Sequence, residues 1–296
     1  MIELQHESID RTEWTAVVSR FKDLSLLQTW EYGEASQKID FWRAERMIFR
    51  DGERIIGAAQ ALTRTVPVVG GGVAWVNRGP LWRRPEGSDP KTLSEIMKAM
   101  RRYWVDRRGL YLRVAPPLRA DNKGLELFPP GGYTSSHEGR GWSSARLDLS
   151  GPVEATRAKL DKRWRNSLSS AERGGLVLGS DPTASFDLTL EQFRKLLDRK
   201  AYPTTVTPAF LRCLKECSGP GLSLYSFSTD KEGRFIGGIM VVRYGDVAEY
   251  LVSAIDAVGR TANAGQFLLW KAVCRMKEAG CRWFDLGGTD PDTTPP

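Results

Sequence analysis

The feature that most constrains this 296-residue chain is an internal repeat. The segment Arg54–Ala58 (Arg-Ile-Ile-Gly-Ala) returns 180 residues later as Arg234–Gly238 (Arg-Phe-Ile-Gly-Gly). A polar turn containing glycine precedes each copy, and an apolar stretch follows it, at 58–62 and at 239–242. A glycine turn between two strand-like runs is typical of a β-hairpin. We therefore expect one hairpin in each half of the chain.

A second match follows each hairpin in the same order. Lys98–Met100 opens a stretch that ends in Gly109–Leu112, and Lys271–Val273 opens one that ends in Gly280–Phe284. Both stretches have a helical pattern, then a glycine suited to end a helix, then a short apolar strand. Two matches in one order indicate a duplication.

The repeated unit of hairpin, strand, helix and strand predicts an α/β (α+β) fold with two tandem modules. A strand that follows a crossover helix usually pairs parallel to an earlier strand, so each module should be a mixed sheet flanked by helices. We place the modules at 1–145 and 146–296, with the active cleft in the second. Stretches rich in proline and glycine at 129–132 and 139–141 predict a linker near the boundary.

Local patterns predict further elements. In the first module they indicate a helix near 13–21 and a hairpin turn at 70–72. In the second they indicate a strand near 145–149 and helices at 153–173 and 190–200. One more helix should begin after Thr207, a favourable N-cap residue, with Pro208 at its first position.

Composition limits the class of protein. With 41% hydrophobic and 27% charged residues, the chain should form real cores. The net charge of +7 suits anionic partners, although an ordinary basic surface explains it equally well. Four cysteines without a CxxC pair and two distant histidines predict no metal site. Neither a signal peptide nor a transmembrane segment is visible, so a cytoplasmic protein is expected.

The chain lacks the motifs of nucleophilic and metal-dependent hydrolases, such as GxSxG, the P-loop and HExxH. Amide formation from an already activated donor needs no protein nucleophile. It needs positioning, a proton shuttle and a hydrogen-bond donor for the oxyanion. The sequence therefore favours group transfer without a tightly bound cofactor.

The segment 159–173 is the densest basic cluster. Lys162 and Arg165 share one face of a predicted helix with Asn166. Together they could clamp a diphosphate, because guanidinium groups bind phosphate oxygens in pairs. A plain solvated helix face is the alternative.

Asn263 and Gln266 stand before a helix predicted to begin near Phe267. Free N–H groups at a helix start favour an anion or a developing oxyanion. A capping role for Asn263 is the alternative.

Two further candidates lie on predicted strands. Tyr250 could orient a substrate or relay a proton, or be a core tyrosine. Asp285 ends a strand before paired glycines, where open α/β sheets bind ligands, and could act as the base toward an amine. A turn-stabilising aspartate is the alternative.

An ordered set of motifs along the chain resembles the FemABX peptidyltransferase family. The set comprises Gln28–Trp30, Asn77–Pro80, Arg165–Asn166 with Ala171 and Gly175, Tyr250, Leu268–Trp270 and Phe284–Gly288. The internal repeat agrees with the resemblance, because that family is built from two modules of the N-acetyltransferase (GNAT) fold.

The resemblance implies an aminoacyltransferase that forms an amide on the amine of a peptidoglycan precursor, with aminoacyl-tRNA as donor. It places Arg165 and Tyr250 near the diphosphate of the acceptor, and Lys38 beside them. It further implies peripheral contact with the inner membrane face.

Several departures from the family keep other hypotheses open. Leu81–Arg83 follows the Gly-Pro pair where family members often carry an acidic residue, Ser169 replaces a common tyrosine, and the long helical arm of the staphylococcal members has no counterpart. An N-acyltransferase that uses acyl-CoA on a sugar, peptide or small amine is the first alternative. A non-catalytic module that binds nucleic acid or an anionic glycolipid is the second, and exposed aromatics interleaved with arginine would favour it.

Overall fold

The chain divides into two compact units. The computed structural model describes residues 2–6, 9–66, 70–118, 127–128, 132–134, 143–200 and 204–288. The first unit is Met1–Gly141 with Gly219–Gly221, and the second is Trp142–Ser218 with Leu222–Pro296. The boundary predicted at 145/146 falls inside strand β6, which lies wholly in the second unit. Of the predicted linker stretches, only Gly132 lies within the described residues.

The first unit is built on a five-stranded sheet in the order β1-β2-β3-β4-β5. Neighbouring strands are antiparallel except β4 and β5, which are parallel. Helix α3 packs with the buried residues of one sheet face, such as Met47 and Ala74. The elements are β1 (Glu3–Gln5), α1 (Arg11–Val18), a 3-10 turn (Leu26–Gln28), α2 (Trp30–Asp40), β2 (Arg43–Asp51), β3 (Arg54–Thr65), β4 (Gly72–Asn77), α3 (Pro90–Arg101), a π-helical turn (Arg102–Asp106) and β5 (Tyr111–Ala115).

The second unit is built on a six-stranded sheet in the order β6-β11-β10-β9-β8-β7. Only β10 and β11 are parallel among its described neighbours. Its elements are β6 (Ser144–Asp148), α4 (Val153–Lys159), α5 (Lys162–Arg173), β7 (Val177–Leu178), α6 (Pro182–Lys200), α7 (Pro208–Cys217), β8 (Ser223–Lys231), β9 (Arg234–Tyr244), β10 (Val247–Ile255), α8 (Ala257–Thr261), α9 (Ala264–Glu278) and β11 (Trp283–Gly288).

Helices cover both faces of the second sheet. Helices α5 and α9 share a core with one face, which contributes Ala248 and Phe284. Helices α6 and α7 pack on the other face, which contributes Met240 and Val252.

The duplication extends to an irregularity in the hairpins. In the first unit the register of β2 and β3 shifts between Phe49 and Arg50. In the second the register of β8 and β9 shifts between Thr229 and Asp230, at the equivalent point opposite the repeated motif. A β-bulge is a specific structural feature, so its repetition supports one ancestral unit. The expectation of two mixed sheets flanked by helices is confirmed.

Several local predictions are confirmed. Thr207 caps α7 through the N–H of Phe210, and Pro208 is its first residue. Gly70 and Gly71 directly precede β4, whose first residue Gly72 pairs with Thr65 at the end of β3, and the N–H of Val66 donates to Gly71 O at 2.9 Å.

Three helix predictions need correction. The helix expected at 153–173 is two helices, because the carboxylate of Asp161 accepts from the N–H of Trp164 and starts α5 anew. Helix α6 begins at Pro182 and not near 190, since Asp181 accepts from the N–H groups of the first turn. Helix α1 covers Arg11–Val18, two residues earlier than expected at its start.

Candidate functional site

The two parallel strands of the second unit part midway along their length. Strand β10 pairs with β11 from Val247 to Glu249, opposite Trp283 to Asp285, and the described pairing stops there. At the same level the register of β10 against β9 shifts between Tyr250 and Val252. In the first unit, β4 and β5 stay paired from Val73 to Asn77. We call the opening beyond Glu249 and Asp285 the fork.

The fork leaves main-chain positions of β10 without a ladder partner. Beyond Glu249, no residue of β10 is in register with the described part of β11. Polar backbone groups require a partner, and a substrate that enters the fork can supply one. The fork is therefore a place where a donor or a developing oxyanion can be held.

Gly287 closes one side of the fork against Tyr250. Its backbone has φ +81°, and an added Cβ would lie 2.9 Å from the carbonyl oxygen of Tyr250. The left-handed conformation and the close approach both require glycine here.

Tyr250 lies at the point where the strands part. Its ring packs with the core that α9 covers, which also includes Phe267 and Leu286. Burial raises the pKa of the Tyr250 phenol above its ordinary value of 10.0, and a hydrogen bond with Ser253 opposes part of this rise. The phenol is therefore protonated at neutral pH and suited to donate a proton or a hydrogen bond.

Helix α9 belongs to the crossover that joins β10 and β11, the two strands of the fork. The prediction that this helix begins near Phe267 was wrong: it begins at Ala264, so Gln266 lies in its first turn. Asn263 is the N-cap residue in a left-handed conformation (φ 56°), and its side chain makes no capping hydrogen bond. An added Cβ at Gly265 would meet nothing within 4 Å, so its backbone is open to a ligand.

Asp285 is buried and held by three hydrogen bonds. Its carboxylate accepts from Ser144 Oγ at 2.8 Å, from Arg146 Nε at 3.0 Å and from the N–H of Gly287 at 3.0 Å. The bond to Gly287 is the turn-stabilising arrangement that the sequence left open. Its role as a base stays a prediction.

A second buried carboxylate lies beside Asp285. Glu249 is its direct partner in the β10–β11 ladder, and Tyr244 Oη donates to Glu249 Oε2 at 2.7 Å. Both carboxylates are thus tied into a polar cluster on one face of the sheet.

The basic residues of α5 are arranged differently from expectation. Arg165 donates through Nη1 to the carbonyl oxygens of Ala158 and Leu160, at the end of α4. It thus serves as a cation on the last carbonyls of a helix. Lys162 is exposed in the first turn of α5. Lys38 is exposed in the last turn of α2, in the first unit.

The structure does not bring Arg165 and Asp285 to the same face of the second sheet. Helix α5 packs on the face of Ala248 and Phe284. Since strand residues alternate between faces, Asp285, next to Phe284, points to the other face. Arg165 and Asp285, both predicted for the active cleft of the second module, therefore do not line one common cleft. Tyr250 lies at the fork, Asn263 and Gln266 lie at the start of α9, and their roles stay predictions.

Sequence reasoning missed Arg146 and Ser144, the partners of Asp285. In the sequence, Ser144 and Arg146 are two residues apart, and apolar Leu147 follows Arg146. This alternation could have predicted a strand with Ser144 and Arg146 on one polar face. Among the described residues, no group of three His, Cys, Asp or Glu side chains is placed to hold a metal ion. Within the same part of the chain, no helix is long and apolar enough to cross a bilayer.

Comparison with known proteins gives a match in the same region. A family model for an acetyltransferase (GNAT) domain matches residues 155–292, which include the fork and α9. A search of curated protein sequences gave no significant match.

Solved structures resemble the chain along nearly its whole length. FemX superposes with a TM-score of 0.78 at 15% identity, over 99% of this chain and 90% of FemX. A conserved protein of unknown function from Bacteroides thetaiotaomicron gives 0.63 at 11% identity, over 97% and 90% of the two chains. A tandem GNAT protein from the clavulanic acid biosynthesis pathway gives 0.51 at 14% identity, over 99% and 92%.

At these identities the likeness concerns the fold, and the family model concerns the second unit. Residues 155–292 match the family model of an acetyltransferase (GNAT) domain, and the chain shares the fold of FemX along nearly its whole length, in agreement with the resemblance to the FemABX family.

Proposed function

We propose that the chain transfers an aminoacyl group from aminoacyl-tRNA to the amine of an anionic, peptidoglycan-precursor-like acceptor. The observation that carries the proposal is the fork, where the pairing of β10 with β11 stops beside Tyr250, together with the start of α9 in the crossover between these strands. The resemblance of the sequence motifs to the FemABX family supports the choice of donor, and the fold shared with FemX over 99% of the chain agrees with that resemblance.

The reaction needs one bond made and one broken. The acceptor amine attacks the ester carbonyl of the donor, and a C–N bond forms as the C–O bond to the terminal ribose breaks. Backbone N–H groups in the fork stabilise the oxyanion of the tetrahedral intermediate. Tyr250 donates its proton to the leaving ribose oxygen and recovers one from the attacking amine.

Both substrates carry phosphate groups, which cationic side chains and the N–H groups at a helix start can bind. The first-turn N–H groups of α9 at Ala264 and Gly265 suit the 3′-terminal phosphates of the donor. Lys162 is exposed and suits the diphosphate of the acceptor. Arg165 enters the acceptor site through the family resemblance, although it must exchange carbonyl partners to do so. The role of Lys38, which the same resemblance implies, stays a prediction.

Transfer from acyl-CoA is the second candidate. The match of residues 155–292 to a GNAT acetyltransferase domain favours it, and acyl-CoA carries a pyrophosphate that the start of α9 suits equally well. In that case Tyr250 protonates a thiolate instead of a ribose oxygen.

We place the reaction in the cytoplasm, with peripheral contact at the inner membrane face when the acceptor is lipid-linked. Charged tRNA and nucleotide-linked precursors are cytoplasmic substrates, which supports this location. A net charge of +7 favours an anionic membrane surface.

Parallel reactions with the two donors decide between the candidates. The purified chain is incubated with a soluble nucleotide-linked muropeptide and either charged tRNA or acetyl-CoA, and the acceptor mass is followed. The proposal predicts an increase of one aminoacyl residue with charged tRNA. An acetyl increase alone selects the second candidate, and an unchanged acceptor with both donors contradicts the peptidoglycan assignment.

A further inference from the structure

The exposed apolar side chains of the first unit lie at one end of its sheet. Among the described residues of this unit, three large apolar side chains are exposed, Phe41 by 84%, Val66 by 51% and Tyr111 by 70%. Phe41 comes two residues before β2, Val66 directly follows β3, and Tyr111 is the first residue of β5. Because β2, β3 and β4 are antiparallel in turn and β4 and β5 are parallel, these positions meet at the same end of the sheet. We call this end the tip.

Phe41 has an unfavourable conformation at the tip. It directly follows the last residue of α2 and lies in the left-handed region, with φ 56° and ψ 29°. Glycine is the usual residue at this place, and a bulky side chain at positive φ is an outlier. A ring that strains its backbone and stays in water adds little to folding. Such a ring indicates a contact outside the chain.

Arginines stand beside the apolar side chains of the tip. Arg43 is the first residue of β2 and its side chain is 80% exposed, and Arg64, two residues before Val66, is exposed as well. Around the tip the cations outnumber the carboxylates, with Lys38, Arg43, Arg64 and Arg108 against Asp40 and Glu45. The excess of positive charge fits an anionic partner.

The opposite end of β2 and β3 has a different character. There the two strands are joined through the turn at Gly52, beside which Asp51 and Glu53 are exposed. Arg54 and Arg84 lie 3.8 and 3.1 Å from the carboxylate of Glu86, so their charge is compensated. The combination of exposed apolar side chains and excess positive charge therefore belongs to the tip and not to the whole sheet.

A small cavity at the tip can receive a phosphate group. Its lining includes Phe41, Arg43, Arg64 and Arg108. Its volume is about 200 Å³, below the roughly 300 Å³ of a pocket for a whole small ligand. Arg43 Nε lies 3.9 Å from Glu45 Oε1, too far for a hydrogen bond, so this guanidinium keeps donors for a phosphate from outside.

Both faces of the sheet contribute to the tip. Arg43 points to the face that α3 covers, whereas Tyr111, next to Leu112 of that core, points to the other face. A partner that touches both must lie across the strand ends, as a flat surface does. A bilayer offers acyl chains to Phe41 and Val66, its interfacial zone to a tyrosine and anionic headgroups to arginines. A protein interface depletes charge from its core, and nucleic acid bases need rings rather than a valine.

We propose that the tip docks the chain reversibly on an anionic phospholipid bilayer, with Phe41 in the acyl region, Tyr111 at the headgroup level and a lipid phosphate beside Arg43. The inference rests on the proposed function for the membrane itself, since that function brings the chain to the inner membrane face when the acceptor is lipid-linked. An inserted ring and a few arginines give weak binding, which lets the chain leave the membrane for soluble donors.

The test is co-sedimentation of the full chain with sucrose-loaded vesicles of phosphatidylcholine, alone or with phosphatidylglycerol. Wild type should partition at least about tenfold more strongly onto the anionic vesicles. Phe41→Ala should lower this partition coefficient about tenfold, since it removes one inserted side chain. Phe41→Trp, which keeps an aromatic ring, should stay within about twofold of wild type. Arg43→Gln should lower the coefficient about fivefold and weaken its salt dependence.

Leu188→Ala and Arg54→Gln are the matched controls. Leu188 is an exposed apolar residue of α6 in the second unit, and Arg54 is exposed at the end of the first sheet opposite the tip. Both variants should stay within about twofold of the wild-type coefficient, and every variant should keep the wild-type thermal midpoint.

Equal partition of wild type and Phe41→Ala overturns the inference, and so does equal binding of wild type to the two kinds of vesicle. If Phe41→Ala abolishes self-association in sedimentation velocity and leaves vesicle binding intact, the tip is a protein interface and the lipid assignment is wrong. Because the vesicles hold neither acceptor nor donor, membrane binding is read without transfer. Failure of transfer to a soluble acceptor, with vesicle binding intact, contradicts the proposed function alone.

Discussion

Arg146 donates through Nε to Asp285 Oδ2 at 3.0 Å, and the two side chains differ sharply in exposure. The carboxylate is 2% exposed, whereas the arginine side chain is 44% exposed. The pair therefore orients the end of β11, where Asp285 also holds Ser144 and the turn at Gly287. This arrangement gives Asp285 a positioning role at the fork.

Asp285→Asn should retain most of the activity. The amide oxygen can still accept from Ser144 Oγ and the N–H of Gly287, and the arginine left behind is solvated. We expect a loss of about 1 kcal/mol in the free energy of unfolding, and a loss of about 2–4 kcal/mol for Asp285→Ala. Urea unfolding and transfer kinetics check both values. A decrease in kcat of about 100-fold or more in the stable Asn variant would instead identify Asp285 as the base.

Asp23 should make the first unit more stable at acidic pH. Burial raises the pKa of Asp23 from 3.8 to about 6, although the N–H groups of Trp82 and Arg83 hydrogen-bond the carboxylate and oppose the rise. A raised carboxyl pKa contributes stability that is complete below pH 3.8 and is lost as pH rises through about 6.

Asp23→Asn mimics the protonated form and should stabilise the chain by about 1–2 kcal/mol at pH 7.5, less than the full linkage value because the amide has one acceptor oxygen. The advantage should shrink toward zero near pH 4. Thermal midpoints across this range measure it, and a constant difference would show that Asp23 does not titrate as described.

Arg165 and Lys162 of α5 should have different roles, one in stability and the other in binding the acceptor. Arg165→Ala removes the cation from the carbonyl groups of Ala158 and Leu160, so it should destabilise the second unit by about 1 kcal/mol. Lys162→Ala should leave the stability unchanged and raise the KM for a diphosphate acceptor. The comparison needs melting curves and initial rates. An unaffected acceptor KM in both variants would remove α5 from the acceptor site.

The second unit shows what a single sequence can and cannot predict. Its hairpin follows from the glycine turn before Arg234, since the turn residues act locally. The fork depends on where β10 and β11 stop pairing, and this register joins segments that α8 and α9 separate. For the same reason the face of Asp285 was unknown, because a shift of one residue would reverse it.

Local competition explains the misplaced basic site. The sequence from 153 to 173 has continuous helical character, but Asp161 offers its carboxylate to the N–H of Trp164 and restarts the helix. The break exposes the carbonyl groups that Arg165 then binds. Helical spacing alone could not show that this guanidinium already has partners.

Two glycines should respond oppositely to the same substitution. Gly265→Ala has open space and a helical position, so stability should be kept or rise by up to about 1 kcal/mol. Its methyl group would impede a phosphate at the helix start, so the donor KM should rise. Gly287→Ala should destabilise by at least about 1 kcal/mol, because its φ is +81° and the Cβ meets Tyr250 O. An unchanged donor KM in Gly265→Ala would move the donor away from α9.

The most direct test of the fork as the site of transfer is the single-turnover rate of Tyr250→Phe. Removal of the phenol should lower this rate about 100-fold with little change in donor affinity, because proton donation acts in the transition state. Tyr225→Phe, in the same core, is the matched control and should keep the wild-type rate. Because the pKa of the Tyr250 phenol lies above 10.0, the phenol keeps its proton between pH 7 and 9. The wild-type rate should therefore show no decrease from Tyr250 ionisation in this range. A Tyr250→Phe rate equal to that of Tyr225→Phe would contradict the account.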